Sequence, residues 1–370
     1  MSANPYNPVS QIPMMGRKWS LTIQPPPNVG GTEYVFNGLS NIPEPMRIVF
    51  EVNIVGFLDN ATGIWTARID LYNLKKDDAV AILAYGQGAL VTLAAGYQEQ
   101  SSPFGIIFEG EIYEVIYERP DVYDSKVSLV CFTGLGEILQ NYCVLKGDPQ
   151  MTQAALIAKM ASGAKTPIKL DPNLSSTMSS IVPKGNIPGL NTQMPRARAI
   201  FGDPMKTISR MVTASSLLSW YSPWGLGITP LSQDPNNQVT ITYTSTTGIL
   251  GVPQQTQNGV NFVVALDPRL RVSTNPPMLV NIANSIIRRL QQAPNGYRAI
   301  LTTDAGIYSE GTYQVNGLQF RGDSRGNQWE TEIVGLTTIG GKVAMIYDSN
   351  TPDMPTKNTI YDPRSTTIGQ

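Results

Sequence analysis

Hydrophobic and polar side chains alternate with a period of two through much of the first third of the chain. Across residues 65–72, Trp65, Ala67, Ile69 and Leu71 fall on one face, and Thr66, Arg68, Asp70 and Tyr72 on the other. Successive Cβ atoms of a strand point to opposite sides of its sheet, so this pattern predicts a half-buried β-strand. Val91, Leu93, Ala95 and Tyr97 repeat it, as do Ile106, Phe108, Ile112 and Ile116. Trp19, Leu21 and Ile23 alternate with Lys18, Ser20 and Thr22 until Pro25-Pro26-Pro27 ends the run. Ile48, Phe50, Val52 and Ile54 give one further strand, ahead of a turn at Asp59-Asn60, and residues 127–132 another. The intervening Asn73, Lys75-Lys76-Asp77-Asp78, Gly86, Gly88, Ser101-Ser102-Pro103 and Gly105 are turn formers. Residues 17–135 are therefore expected to form an antiparallel β-barrel or sandwich without helices.

From about residue 136 the period changes. Leu156, Ile157 and Met160 form a helical stripe, with Thr152 as N-cap and Gly163 just past the end. A proline-rich stretch, 166–197, leads to a second helix with Asp203 as N-cap, Pro204 at its first position, and Met205, Ile208, Met211 and Val212 on one face. Residues 219–228 and 238–244 read as strands, giving an α+β middle region over 136–255. Beyond it, strands are expected at 262–266, 278–282, 286–290, 297–301, 312–320, 329–334 and 343–347, and 256–347 is read as a second antiparallel barrel. Residues 1–16 and 348–370 are read as terminal arms ordered against neighbours. The expected fold is mainly β, with two antiparallel barrels flanking a smaller mixed region.

Composition sharpens this picture. The 370 residues exceed one compact core, which suggests about two to four domains. A hydrophobic share of 41 % supports real cores. A charged share of 15 %, against a usual value of about 25 %, suits a β-rich protein whose surface neighbours cover. Lys+Arg 27 and Asp+Glu 28 leave a net charge of −1, which provides no basic field for stable DNA binding. Histidine is absent, so no Ser-His or Cys-His pair and no histidine metal ligand can be assembled. Cys131 and Cys143 are expected as free thiols packed like small hydrophobes. No export signal and no apolar run of about 18 residues is seen, so a soluble, cytoplasmically made product without stable membrane attachment is expected.

Candidate chemistry is sparse. Glu109, Glu111, Glu114 and Glu118 form the densest carboxylate cluster. Paired carboxylates serve glycoside hydrolysis, but a polar strand face shared with Tyr113, Val115 and Tyr117 is the simpler reading. Trp220 and Trp224 could stack on a sugar, though packing accounts for them more simply. Arg321-Gly322-Asp323 spells an adhesion tripeptide, yet with Ser324, Arg325 and Gly326 it reads as a turn. Asn60 and Asn173 head glycosylation sequons that lack a secretory context. Gly86-Gln-Gly88 and Gly134-Leu-Gly136 do not extend to a dinucleotide fingerprint. No cofactor site, metal site or catalytic residue is assigned.

Several phrases in order resemble the central baseplate hub proteins of contractile-tailed bacteriophages. They are residues 67–74 (ARIDLYNL), 91–97 (VTLAAGY) and 107–110 (IFEG), then the 203–215 helix followed by Ser219-Trp-Tyr, then Phe320-Arg-Gly-Asp and Gly326-Asn-Gln-Trp-Glu-Thr. Phe320 stands where that family often carries histidine. The resemblance spans about residues 60–335. It implies a non-enzymatic virion protein of the tail baseplate, assembled in the host cytoplasm. It further implies a homotrimer whose paired barrels make a pseudo-sixfold ring. That ring would adapt a hexameric tail tube to a trimeric central spike, with DNA only in transit. Tail tube, spike and other baseplate proteins would be its partners, with the tape-measure protein a further candidate. Arg68, Asp70 and Tyr72, on the outward face of their strand, are candidate contacts to a partner chain or the lumen. Glu109, Arg321, Asp323 and Trp329 complete the interface candidates. A tail glycosidase using Glu109 with Glu111 or Glu114, or a carbohydrate-binding tail-fibre module using Trp220 and Trp224, are the alternatives.

Overall fold

A computed structural model describes residues 16–26, 30–39, 46–54, 65–98, 104–120, 122–138, 141–170, 190, 193–215, 217–222, 225–230, 240–244, 248–255, 259–272, 278–283 and 311–337. The first β region comprises β1 (Arg17–Gln24), β2 (Tyr34–Leu39), β3 (Arg47–Ile54), β4 (Trp65–Tyr72), α1 (Lys76–Tyr85), β5 (Leu90–Tyr97), β6 (Phe104–Glu118) and β7 (Lys126–Phe132). The middle follows with α2 (Leu135–Ile138), β8 (Cys143–Gly147), α3 (Gln153–Gly163), β9 (Arg198–Gly202), α4 (Pro204–Ala214), β10 (Leu217–Ser222) and β11 (Gly225–Pro230). The chain continues through β12 (Thr240–Thr244), β13 (Ile249–Gln255), β14 (Gly259–Ala265), β15 (Leu279–Ala283), β16 (Gly311–Asp323) and β17 (Trp329–Thr337).

Both β regions belong to one mainly antiparallel sheet of 13 strands, ordered β13-β14-β17-β16-β3-β4-β7-β6-β5-β1-β2. β15 pairs with the first half of β16, and β12 runs parallel to β15. The second half of β16 pairs with β3, from Leu318 opposite Ile54 to Asp323 opposite Val49. In place of two closed barrels, pairing among the described residues follows an open path across both regions. The reason is chemical: Ile48, Phe50, Val52 and Ile54 share one apolar side with Leu318 and Phe320, and all are buried. Their union buries one contiguous core from Trp19 to Ile333. The middle region packs a separate core, from Cys143 to Ile228, around α3 and α4.

Alternation holds for β1, β3 and β4, whose apolar sides are buried. It fails in β6. Ile107 and Phe108 are both buried while Ile106 is 44 % exposed, because register shifts opposite Leu93/Ala94 and at Ile112/Glu114 insert extra residues and switch faces. Residues 75–78 open helix α1 instead of making a turn. Asp77 and Asp78 sit favourably in its first turn, and Ala79 and Ile82 bury one side. Residues 219–228 contain a hairpin, β10–β11, where one strand was expected. Arg321, Gly322 and Asp323 lie inside β16, and the turn begins at Ser324. Strands β2, β8, β9 and β13 carry no clear alternation and are seen only in the structure. The two middle helices match expectation: Thr152 Oγ1 accepts from Ala155 N at 3.2 Å, and Asp203 Oδ1 from Met205 N at 2.9 Å. Cys131 and Cys143 are free and buried. The strands expected at 286–290, 297–301 and 343–347, the turn at Asp59-Asn60, and most of both arms lie outside the described residues.

Candidate functional site

The seam between β3 and β16 carries the polar residues of interest. On the side of the sheet away from the core, register places Glu330 (β17), Arg321 (β16), Glu51 (β3) and Arg68 (β4) in one transverse row. Like-side neighbours Glu332, Gln319, Asn53 and Thr66 form the next row. Arg321 reaches Glu332 at 3.2 Å and Glu330 at 3.8 Å, and also donates to Gln319. Gln319 in turn donates to Glu51, and Asn53 Nδ2 contacts the same carboxylate at 3.4 Å. Arg68 Nε lies 3.4 Å from Asp70, and its side chain is 60 % exposed. The Arg47 guanidinium covers the Tyr72 ring at 5.2 Å. Lys126 meets Glu118 at 2.8 Å, which lowers the glutamate's pKa and raises the lysine's through that hydrogen bond. The result is a band of alternating charge crossing from one β region to the other. Its opposite charges nearly cancel, so the band carries little net field.

At one end of the seam the band turns inward. The Asp323 carboxylate is bound by Arg47, whose Nε donates at 2.9 Å, and by the Arg325 N–H at 3.0 Å. Burial pushes its pKa up, but hydrogen bonds from Arg47 and from the Arg325 and Gly326 N–H groups, with the Arg47 charge, hold it below the ordinary value. Arg17 Nη1 donates to the carbonyls of Asp323 at 2.7 Å and Gly326 at 2.6 Å, and its guanidinium lies 5.5 Å from the Trp329 ring centre. Trp329 is buried edge-on against Phe50 at 5.3 Å and donates Nε1 to the Gly96 carbonyl at 3.2 Å. Strands β1 and β5 are remote from β16 in the pairing order. The sheet therefore bends round until side chains, not a ladder, join its N-terminal strands to the β16–β17 turn. Asp323 and Trp329 thus have their partners within the chain. Arg17 and Arg47 were not singled out by sequence reading. Arg17 could have been, since a charge on the apolar side of Trp19, Leu21 and Ile23 demands a buried partner.

The glutamates of β6 share the outer face but do not converge on a cleft. Glu109 pairs across from Thr92, Glu111 from Leu90 and Glu114 from Val130. Glu109 and Glu114 are exposed. Glu111 is raised in pKa by burial and by Glu137 of α2, against a backbone hydrogen bond from Gly136. Burial, and then the Glu137 charge, raise the pKa of Tyr221. A described cavity between β9 and α4 includes none of these carboxylates. Trp220 stands opposite Gly227 in the β10–β11 hairpin, and Trp224 lies outside the described residues. Among the described residues no cluster could hold a metal ion, and no helix is long and apolar enough to cross a membrane.

No family model and no curated protein matches the chain. Solved structures similar to it include tail proteins and a type VI secretion component. A tail protein from Neisseria meningitidis is 12 % identical, over 88 % of this chain and 98 % of its own, with a TM-score of 0.45. The 43 kDa tail protein of prophage MuSo2 from Shewanella oneidensis is 10 % identical, over 86 % and 97 %, with a TM-score of 0.47. An E. coli component of the type VI secretion system is 7 % identical, over 83 % and 79 %, with a TM-score of 0.44. Identities and TM-scores this low carry no residue-by-residue correspondence.

Proposed function

We propose that this chain is a structural component of a contractile phage tail, a homotrimeric baseplate hub joining a sixfold tube to a threefold spike. The observation carrying this reading is the β3–β16 seam, which holds the two β regions edge to edge in one sheet as two neighbouring positions of a ring would be held. Three chains then supply three seams inside subunits and three between them. Among the described residues β2 and β13 end the pairing path and β12 ends its side branch, and β2 and β13 are assigned to the latter. β13 exposes Leu250 and Val252, apolar side chains suited to a covered edge. The alternating band of Arg321, Glu51, Arg68 and Asp70, with Tyr72, would face the lumen or a partner chain, and Glu109 lies on the same outer side. A lumen with balanced charge suits DNA that passes without binding. Tube, spike and other baseplate proteins, the tape-measure protein among them, would dock on the ring's faces.

Sedimentation of the purified chain tests this. The expected species contains three 40.3 kDa chains, and replacing both Leu250 and Val252 with glutamate should dissociate it without unfolding the protomer. A wild-type protein that stays monomeric at micromolar concentration and when mixed with a trimeric spike would overturn the hub reading. Release of reducing sugar from peptidoglycan, lost in Glu111→Gln, would favour the glycosidase instead.

A further inference from the structure

Beside α4, the two-stranded sheet of β8 and β9 leaves a groove of about 440 Å³. One wall is Arg198, Ala199, Ile200 and Phe201, four consecutive residues. Neighbouring side chains of a strand point to opposite faces, so consecutive lining residues mean that the groove follows the backbone edge of β9. The opposite wall is Thr207, Arg210, Met211 and Ala214, a single stripe of α4. β9 gives its other edge to β8, and among the described residues no strand takes the edge along the groove. Phe201, at the rim, is 84 % exposed.

The charge in the groove is one-sided. Arg198 and Arg210 line it, no carboxylate does, and neither guanidinium has an ion-pair partner among the described residues. The apolar Ile200 and Met211 line the same groove. An unpaired strand edge asks for an extended backbone, the arginines ask for carboxylates, and the apolar floor asks for an aliphatic side chain.

We propose that this groove binds an extended acidic segment of a partner protein, which adds as a third strand along β9 and sets its carboxylates against Arg198 and Arg210. The inference goes beyond the hub reading and does not depend on it. A nucleic-acid strand could use the two arginines but neither the strand edge nor the apolar floor.

The test is fluorescence anisotropy of a short labelled peptide alternating glutamate and valine, titrated with the full chain. Binding is expected. It should weaken about tenfold or more in the Arg198→Gln, Arg210→Gln double variant, the loss of one charge-assisted contact or more. It should weaken similarly when alternate peptide nitrogens are methylated, which removes the strand hydrogen bonds. Both arginines are exposed, so the variant should keep the wild-type circular dichroism spectrum and melting temperature. No binding, equal binding of the methylated or the lysine–valine peptide, or displacement of the peptide by a single-stranded oligodeoxynucleotide that binds more tightly would each overturn the proposal.

Discussion

Asp323 shows how one residue, through its side chain and its backbone, joins two strands remote in the pairing order. Arg47 of β3 holds its carboxylate, while Arg17 of β1 holds its backbone carbonyl, so loss of the side chain strips Arg47 of its partner and leaves the Arg17 contact in place. Removing one member of a buried pair costs about 3–5 kcal/mol, and the partial exposure of Arg47 brings the expected loss for Asp323→Ala to about 2 kcal/mol, measurable by urea unfolding. Its folded pKa lies below the unfolded value, so this contribution is present above the ordinary carboxylate range and disappears as pH falls through the folded value, below about pH 4. Wild type and variant should therefore converge in acid. Glu111 has the opposite sign: its folded pKa is raised, so its contribution is present below the unfolded value and lost as pH rises through the folded one. Glu111→Gln should gain a fraction of a kcal/mol at neutral pH and nothing in acid. Sequence alone displayed Arg321 and Asp323 as a turn tripeptide. Only the register opposite β3 shows them as seam residues, because partners some 276 positions away leave no local trace.

At the scale of elements, close packing across the seam is tightest where Gly322 faces Phe50. A Cβ on Gly322 would stand 2.1 Å from the Phe50 ring, which is itself wedged against Trp329. Gly322→Ala should cost about 1–3 kcal/mol by overpacking, read as a lower urea midpoint with unchanged slope. Elements with strict alternation, β1, β3 and β4, were legible because one face is apolar along its length, Arg17 of β1 apart. β6 was legible as a strand but not in its faces, since its bulges follow from pairing with β5 and β7 and not from its own sequence. Helix α1 was hidden for another reason. Residues 79–84 are apolar throughout, so no period distinguishes its buried side. The caps Thr152 and Asp203 were legible because their chemistry is local.

For the whole molecule, one core spans both β regions and a second serves the middle. Native-state hydrogen exchange should therefore find amides of β3 and the second half of β16 opening with one free energy, and those of α3 with another. Separate openings for β3 and β16 would contradict the shared sheet. Composition conveyed a β-rich protein of several parts, but which strands meet was decided by apolar faces far apart in the chain. That distance also governs how the protein is made. β3 leaves the ribosome long before β16, and at roughly 5–20 residues per second its pairing edge waits about a quarter of a minute to a minute for its mate. During synthesis the nascent chain thus presents an apolar, half-satisfied edge, and its yield in the cell should depend on chaperones that shield it until the last third emerges.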